Sequence, residues 1–156
     1  MKKYYFAYGS NLDEMRLRSR VGDVKNLGTH TLHGWRLVYN AGTDRNCYAN
    51  IVLTNDFKDS VAGVVYEVTL KQLKLLDNFE GAPRFYTRMI ENYKGKDLQM
   101  YVSINPTYTQ QEAKGIIPSK DYLSFVIKGA GANQLKATYD QAVELYKVAG
   151  NGRALV

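Results

Sequence analysis

The sequence has little of several features that would each indicate a particular class of protein. It contains one cysteine, Cys47, which excludes an intramolecular disulfide framework and is expected to be a small filler residue. It contains two histidines, His30 and His33, which we expect at the surface or in loops, without the cysteine or carboxylate pattern of a metal site. No Walker motif, glycine-rich dinucleotide loop or Ser-His-Asp order is present either. The sequence therefore gives no sign of a metal, a nucleotide cofactor or a catalytic triad.

Long apolar runs are also missing. The first apolar stretch ends at Gly9 after about five residues, whereas a signal peptide needs roughly seven or more and a membrane span about 20. Hydrophobic residues make up 45% of the 156 residues and charged residues 23%, which is ordinary for a globular domain with a full core. We therefore expect one soluble cytoplasmic domain over residues 1–156, a monomer or a homodimer, with no membrane partner.

The net charge of +6 makes nucleic acid a partner to consider. The basic residues are scattered, however, and the densest group is Arg16, Arg18 and Arg20. On a helix these arginines point in different directions, because residues two apart do not share a face. A modest positive field suits a small anionic substrate equally well, so we expect a small-molecule partner and keep nucleic acid as the less favoured alternative.

Hydrophobic patterning predicts an α+β fold. Strands are predicted over residues 3–8, 35–39, 48–53, 60–69, 85–93 and 98–104. Helices are predicted over residues 12–20, 70–80, 118–129 and 133–148. These elements do not alternate strictly, which favours a small mixed sheet that curls into a β-barrel flanked by short helices.

Four residues suggest where two of the helices begin. Asn11 with Glu14, and Thr69 with Gln72, have the spacing of a capping box, in which each side chain binds a backbone amide of the other residue. Glycines at positions 22 and 81 are natural stops for the same two helices.

The junction between the first strand and the first helix contains Gly9, Ser10 and Asn11. Free amides at a helix N-terminus, which a ligand can approach closely beside a glycine, form a site for negative charge. Such a site binds a carboxylate or stabilises the oxyanion of a carbonyl under attack. The same three residues also make an ordinary turn that needs no ligand, so the pattern leaves both interpretations open.

Glu80 is the second candidate, as the last residue of the predicted helix 70–80. A solvated glutamate has a pKa of about 4.3 and is a weak base at neutral pH. The negative end of the helix dipole and partial burial would both raise the pKa of Glu80 toward the range useful for proton transfer. A solvent-facing glutamate near a helix end is the alternative interpretation.

Three further side chains are candidates for binding. Tyr86 and Arg88 are predicted on one face of strand 85–93, where they can hold a carboxylate by charge-assisted hydrogen bonds. An arginine that lies along a half-buried edge strand is the alternative. Tyr122 can place its hydroxyl in a pocket or simply cover the core.

The order of these segments resembles the gamma-glutamylcyclotransferase-like family. Tyr8-Gly9-Ser10-Asn11-Leu12 is similar to the signature loop of that family, and Leu76-Asp77 with Glu80-Gly81 is similar to a second segment. The resemblance covers nearly the whole chain, through His33-Gly34-Trp35-Arg36-Leu37, Ala49-Asn50-Ile51-Val52, Val61-Ala62-Gly63-Val64-Val65-Tyr66, Tyr86, Pro118-Ser119, Tyr122 and Gly129-Ala130. The loop alone is a weak signal, but the loop followed at this distance by the glutamate segment is rather specific.

The resemblance implies that the loop and Glu80 meet in one cavity of a small α+β barrel. It also implies a reaction in which an L-γ-glutamyl amino acid or γ-glutamyl amine cyclises to 5-oxoproline and releases the free amine. The α-amino group of the substrate attacks its own γ-carbonyl, so the resemblance implies no enzyme nucleophile, metal or cofactor. Relatives that degrade glutathione typically have Leu at the position of Asn11, which makes glutathione a less favoured substrate.

The resemblance also implies residue roles. Glu80 takes a proton from the α-ammonium group and later passes it to the leaving amine. The amides around residues 8–12 hold the folded substrate, Tyr86 and Tyr122 supply hydroxyls, and Arg88 is a candidate partner for the α-carboxylate. A non-catalytic small-molecule binding protein on the same fold remains the alternative hypothesis.

Overall fold

The computed structural model describes residues 1–42, 47–82, 85–103 and 117–149. Its elements in chain order are β1 (Lys2–Ala7), a 3₁₀ turn (Ser10–Leu12), α1 (Glu14–Val21), β2 (Lys25–His33), β3 (Trp35–Gly42), β4 (Cys47–Leu53), β5 (Ser60–Thr69), α2 (Leu70–Glu80), β6 (Thr87–Tyr93), β7 (Lys96–Val102), α3 (Lys120–Ala132) and α4 (Lys136–Ala149). The predicted α+β class is confirmed. Ile104, the predicted end of the last strand, lies outside the described residues.

The central sheet is mixed, as predicted. Its strand order is β2-β5-β1-β7-β6, with β1 parallel to β7 and the other neighbours antiparallel. Strands β3 and β4 form a separate antiparallel pair. Within the described residues the strands do not close into a barrel, because β2 and β6 are the edges of the sheet and β3 and β4 pair only with each other.

Strand β5 separates two hydrophobic cores, because successive side chains of a strand point to opposite faces. Val61 and Val65 belong to one core, and Val64 and Tyr66 to the other, and all four are nearly inaccessible to water. Leu123 and Val126 of α3 cover the first core, whereas side chains from α1 and α2 cover the second. The strand predicted over residues 60–69 is therefore confirmed, and both of its faces are buried.

The start of α2 follows the sequence prediction. The Gln72 amide donates to Thr69 Oγ1 at 3.1 Å, and the Thr69 amide donates to Gln72 Oε1 at 2.9 Å, which completes the capping box. Gly81 ends the helix in the left-handed conformation, with φ of 65°. The end of α2 is thus fixed at Glu80.

The start of α1 differs from the prediction. The cap is Asp13, whose carboxylate accepts from the Met15 amide at 3.1 Å, and not Asn11. Asn11 instead turns its side chain inward and donates to the Tyr5 hydroxyl at 2.9 Å. The predicted partner Glu14 binds Arg18. A separate 3₁₀ turn, Ser10–Leu12, therefore stands between β1 and α1.

Strand β2 was not predicted. Its side chains are mostly polar, and only Leu32 is fully buried, so hydrophobic alternation is absent. The strand is held by its backbone ladder with β5 instead. His30 and His33 therefore lie on a strand and not in loops, with His33 exposed and His30 partly buried edge-on against Tyr93.

Helix α3 continues past its predicted end at Gly129, to Ala132. Gly129 is in the interior of the helix, where a Cβ atom would collide with the backbone of Leu12 and Asp13. The absence of a side chain thus lets α3 lie directly against the 3₁₀ turn. Among the described residues no helix combines the length and apolar character required to cross a membrane.

Candidate active site

A cavity of about 430 Å³ opens between the end of β1, helix α1 and the end of α2. This volume is in the range that small-molecule ligands occupy. The described residues that line it are Tyr5, Phe6, Tyr8, Gly9, Ser10, Asn11, Arg16, Arg20, Gly42, Tyr48, Ala49, Asn78, Phe79, Glu80, Gly81, Phe85, Tyr86, Tyr101 and Tyr122.

The loop after β1 forms one wall of the cavity. The Leu12 amide donates to the Gly9 carbonyl at 3.0 Å, which closes the first turn of the loop. The amides of Ser10 and Asn11 lie at the start of this turn, where an amide has no acceptor within the turn. A Cβ atom at Gly9 would lie 3.1 Å from the Tyr122 hydroxyl oxygen and 3.3 Å from the Ala49 Cβ. Glycine therefore lets the loop approach Tyr122 closely.

Glu80 lies on the facing wall, at the C-terminal end of α2. It is partly buried, and its carboxylate forms no hydrogen bond or ion pair with any described residue. Burial raises the pKa of Glu80 to about 7, although the positive charges of Arg20 and Arg16 oppose this shift. The group is therefore close to half-ionised at neutral pH, which suits proton transfer in either direction.

Four of the six tyrosines among the described lining residues, Tyr5, Tyr8, Tyr86 and Tyr122, fall into two pairs by the hydrogen bonds of their hydroxyl groups. Tyr8 donates to the Tyr101 carbonyl at 2.6 Å, and Tyr86 donates to the Ala49 carbonyl at 2.5 Å. Tyr122 accepts from the Ala49 amide at 3.0 Å, and Tyr5 accepts from Asn11 at 2.9 Å. No described residue accepts the hydroxyl protons of Tyr5 and Tyr122, so these two remain available as donors. Burial raises the pKa of both phenols, which keeps them protonated.

Two arginines of α1 also line the cavity. Arg16 and Arg20 are four residues apart and share a helix face, whereas Arg18 points away and pairs with Glu14 and Asp23. Neither Arg16 nor Arg20 forms an ion pair with a carboxylate of the described residues. Two guanidinium groups thus line the cavity with no carboxylate of the described residues at ion-pair distance.

The sequence matches the model of a family described as gamma-glutamyl cyclotransferase, AIG2-like, over residues 5–124. The chain belongs to this family.

Solved structures share the fold of this chain. One titled gamma-glutamyl cyclotransferase is 24% identical, with a TM-score of 0.72 over 93% of this chain and 86% of that one. An uncharacterised protein from Homo sapiens is also 24% identical, with a TM-score of 0.71 over 92% of this chain and 86% of that one. A yeast gamma-glutamyl cyclotransferase described as specific to glutathione is 13% identical, with a TM-score of 0.59 over 93% and 96%. Among curated proteins, none matches the sequence.

Most of the candidate residues of this cyclotransferase-family chain line the cavity of about 430 Å³. The structure brings together the loop residues, the glutamate and two of the candidate binding side chains, namely Tyr8, Gly9, Ser10, Asn11, Glu80, Tyr86 and Tyr122. Leu12 does not line the cavity, because its side chain is buried in the core. Arg88 also lies outside the lining, where its Nε is 2.9 Å from Asp77 Oδ1.

Among the described lining residues, sequence reasoning missed six polar ones, namely Tyr5, Arg16, Arg20, Tyr48, Asn78 and Tyr101. The arginines carried a usable signal, because their spacing of four places them on one helix face. Tyr5 carried none, since an aromatic residue in an apolar strand is ordinarily a core residue and only the Asn11 contact marks its hydroxyl.

Proposed function

We propose that this protein is a cyclotransferase that converts an L-γ-glutamyl amino acid or γ-glutamyl amine to 5-oxoproline and the free amine. The observation that carries the proposal is that Glu80, which has no hydrogen-bond or ion-pair partner among the described residues, lines the same cavity as the loop of residues 8–11. Membership in the gamma-glutamyl cyclotransferase family supports the same reaction.

The reaction removes two protons from the α-ammonium group of the substrate and delivers a proton to the leaving nitrogen. Glu80 removes a proton from the α-ammonium group of the substrate, which frees the nitrogen lone pair. The α-nitrogen then adds to the γ-carbonyl carbon of the same molecule and forms a five-membered ring. The bond from that carbon to the amide nitrogen breaks as the leaving nitrogen receives this proton from Glu80. The ring nitrogen still carries a second proton of the former ammonium group and loses it to the Glu80 carboxylate as the lactam forms. Glu80 then passes this proton to the released amine, which leaves as an ammonium ion. The substrate supplies its own nucleophile, so the protein has to fold it, move protons and stabilise charge.

The other cavity residues have roles that follow from their hydrogen bonds. Negative charge develops on the γ-carbonyl oxygen when the α-nitrogen adds, and preorganised donors stabilise it. Tyr122 and Tyr5 each have a hydroxyl proton with no acceptor among the described residues, so they are the side-chain donors that we assign to substrate oxygens. The amides of Ser10 and Asn11 are the backbone donors that we assign to the folded substrate.

The test is release of 5-oxoproline. The purified protein is incubated with a panel of γ-glutamyl dipeptides and γ-glutamyl amines, and 5-oxoproline is detected by mass. We expect product from at least one substrate with the wild-type protein, and almost none with Glu80→Gln, which keeps the shape of the side chain but cannot accept the proton. Folded wild-type protein that binds these compounds and releases no 5-oxoproline would contradict the proposal and favour a non-catalytic binding protein.

A further inference from the structure

Among the described residues, the positive and negative charges that line the cavity are unequal in number. Among the described lining residues there are two guanidinium groups, Arg16 and Arg20, and one carboxyl group, Glu80. The net charge of these described residues is therefore +1 when Glu80 is ionised and +2 when Glu80 is protonated. A ligand that fits this cavity electrostatically has a net negative charge.

The two substrate classes of the proposed function differ in net charge. A γ-glutamyl amino acid with an uncharged side chain has one ammonium and two carboxylates, one of them on the leaving group. A γ-glutamyl alkylamine has one ammonium and one carboxylate, and therefore no net charge. Only the γ-glutamyl amino acid has one ammonium group for Glu80 and one carboxylate for each of Arg16 and Arg20.

The surroundings of the two arginines separate their roles. The Nε of Arg16 donates to Ser10 Oγ at 3.1 Å, and its guanidinium lies 4.1 Å from the centroid of the Phe125 ring, so Arg16 is held at the loop. Arg20 makes one long contact, 3.4 Å to Asn11 Oδ1, and lies over the ring of Phe79 at 4.9 Å from its centroid. Arg20 is therefore the less constrained of the two guanidinium groups.

The position of Phe79 indicates what lies beside Arg20. Phe79 directly precedes Glu80, lines the cavity and is 53% exposed. Phe85, another lining residue, is also 53% exposed. Two large aromatic side chains that remain half exposed at a cavity offer apolar surface to a ligand. Arg20, which lies over the Phe79 ring, adds a positive charge that can bind a carboxylate.

We propose that Arg20 is a specificity residue that binds the carboxylate of an amino-acid leaving group, while Phe79 and Phe85 contact an apolar side chain of that amino acid. The proposal rests on the proposed cyclotransferase function and names its substrate class. Arg16, at the loop, then pairs with the α-carboxylate that every γ-glutamyl compound shares.

The experiment compares two substrates that differ in one charge, γ-glutamyl-phenylalanine and the same compound with its carboxylate converted to a primary amide. We expect wild-type protein to prefer the acid by about tenfold to a hundredfold in kcat/KM, mainly through KM, as for one charge-assisted contact. Arg20→Gln should reduce this preference to about threefold or less. Because the preference is a ratio measured on one protein sample, partial loss of folded enzyme does not change it.

Two matched variants on the same helix complete the design. Arg18→Gln removes a guanidinium that points away from the cavity, so the preference for the acid should stay at its wild-type value. Arg16→Gln should weaken both substrates by a similar factor and leave the preference intact. An unchanged preference in Arg20→Gln, or an equal loss in Arg18→Gln, would overturn the assignment of Arg20.

Binding measurements test the role of Arg20 independently of whether the protein catalyses the reaction. In the Glu80→Gln background the dissociation constants of the same two compounds are measured by calorimetry, with and without Arg20→Gln. A preference for the acid that depends on Arg20 supports the assignment even if no 5-oxoproline is ever formed, in which case only the proposed function fails. Turnover of both compounds with no dependence on Arg20, in rate or binding, refutes the assignment and leaves the proposed function standing.

Discussion

Asp77 and Glu80 are carboxylates one turn apart on α2, and their surroundings differ. Asp77 accepts a hydrogen bond from the Tyr101 hydroxyl at 2.6 Å and pairs with Arg88 at 2.9 Å. Glu80 has no such partner among the described residues, faces the cavity and has its pKa raised to about 7 by burial. A buried carboxyl without a partner costs stability, and such sites are typically functional. The comparison supports the proposal that Glu80 transfers protons, whereas the contacts of Asp77 stabilise the fold.

The largest expected effect is on turnover. Glu80→Gln should lower kcat/KM by about 10²- to 10⁴-fold, the usual contribution of a general acid-base group. Asp77→Asn should change it by about threefold or less, because Asp77 lies outside the cavity lining. Steady-state assays of both variants check this, with circular dichroism to verify the fold. Equal losses in the two variants would break the distinction between the two carboxylates.

The pH dependence of kcat/KM tests whether the essential carboxylate has the raised pKa of Glu80. A general base works in its ionised form, so kcat/KM should rise about tenfold per pH unit below pH 7 and level off above it. The profile is measured with one γ-glutamyl substrate between pH 5 and 8. A profile that is flat from pH 5 upward would indicate that the essential carboxylate has an ordinary pKa.

Stability should respond to the two substitutions with opposite signs. Because the pKa of Glu80 is raised in the folded state, that state binds more protons than the unfolded chain between about pH 4.5 and 7, and wild-type stability falls as pH rises through this window. Glu80→Gln should therefore raise the free energy of unfolding at pH 8 by about 1–3 kcal/mol, a gain that shrinks toward pH 4.5. Asp77→Asn should lower it at pH 8 by about 1–3 kcal/mol, because Arg88 and Tyr101 lose a charged partner.

Urea denaturation at several pH values measures both effects. The account is contradicted if Glu80→Gln destabilises the protein at pH 8 as much as Asp77→Asn does.

The smallest expected effect concerns the loop. In Gly9→Ala the new methyl would lie 3.1 Å from the Tyr122 hydroxyl oxygen, so the ring or the loop must shift by a few tenths of an ångström. We expect kcat/KM to fall about threefold to tenfold, since catalysis is sensitive to small displacements. Gly131→Ala is the control, because a Cβ atom there makes an ordinary contact, 3.4 Å from the Tyr139 ring, and should leave activity unchanged. Similar losses in the two variants would remove the special role of Gly9.

Much of the fold was predictable where local chemistry agrees with tertiary packing. Thr69, Gln72 and Gly81 define α2 in the sequence and in the structure alike. Strand β5 was predictable over its full length because both of its faces are apolar and buried. Strand β2 was not, since its polar side chains carry no alternation and only the ladder with β5 holds it.

The site was predictable in part for a similar reason. Glu80 follows from its place before the glycine that ends α2. Arg88 was expected beside Tyr86 on one strand face, but β6 begins at Thr87, so the alternation does not extend back to Tyr86. The Asp77 partner that holds Arg88 comes from another element, which spacing along the chain does not reveal.

Direct titration of Glu80 tests the central claim most closely. Protein labelled with ¹³C at the glutamate side-chain carboxyl is followed by NMR from pH 4 to 9, and the Glu80 signal is assigned by its absence in Glu80→Gln. We predict a midpoint near pH 7, well apart from the exposed glutamates. A midpoint near the ordinary value of about 4.3 would contradict the account, because Glu80 would then be a solvated carboxylate and a weak base.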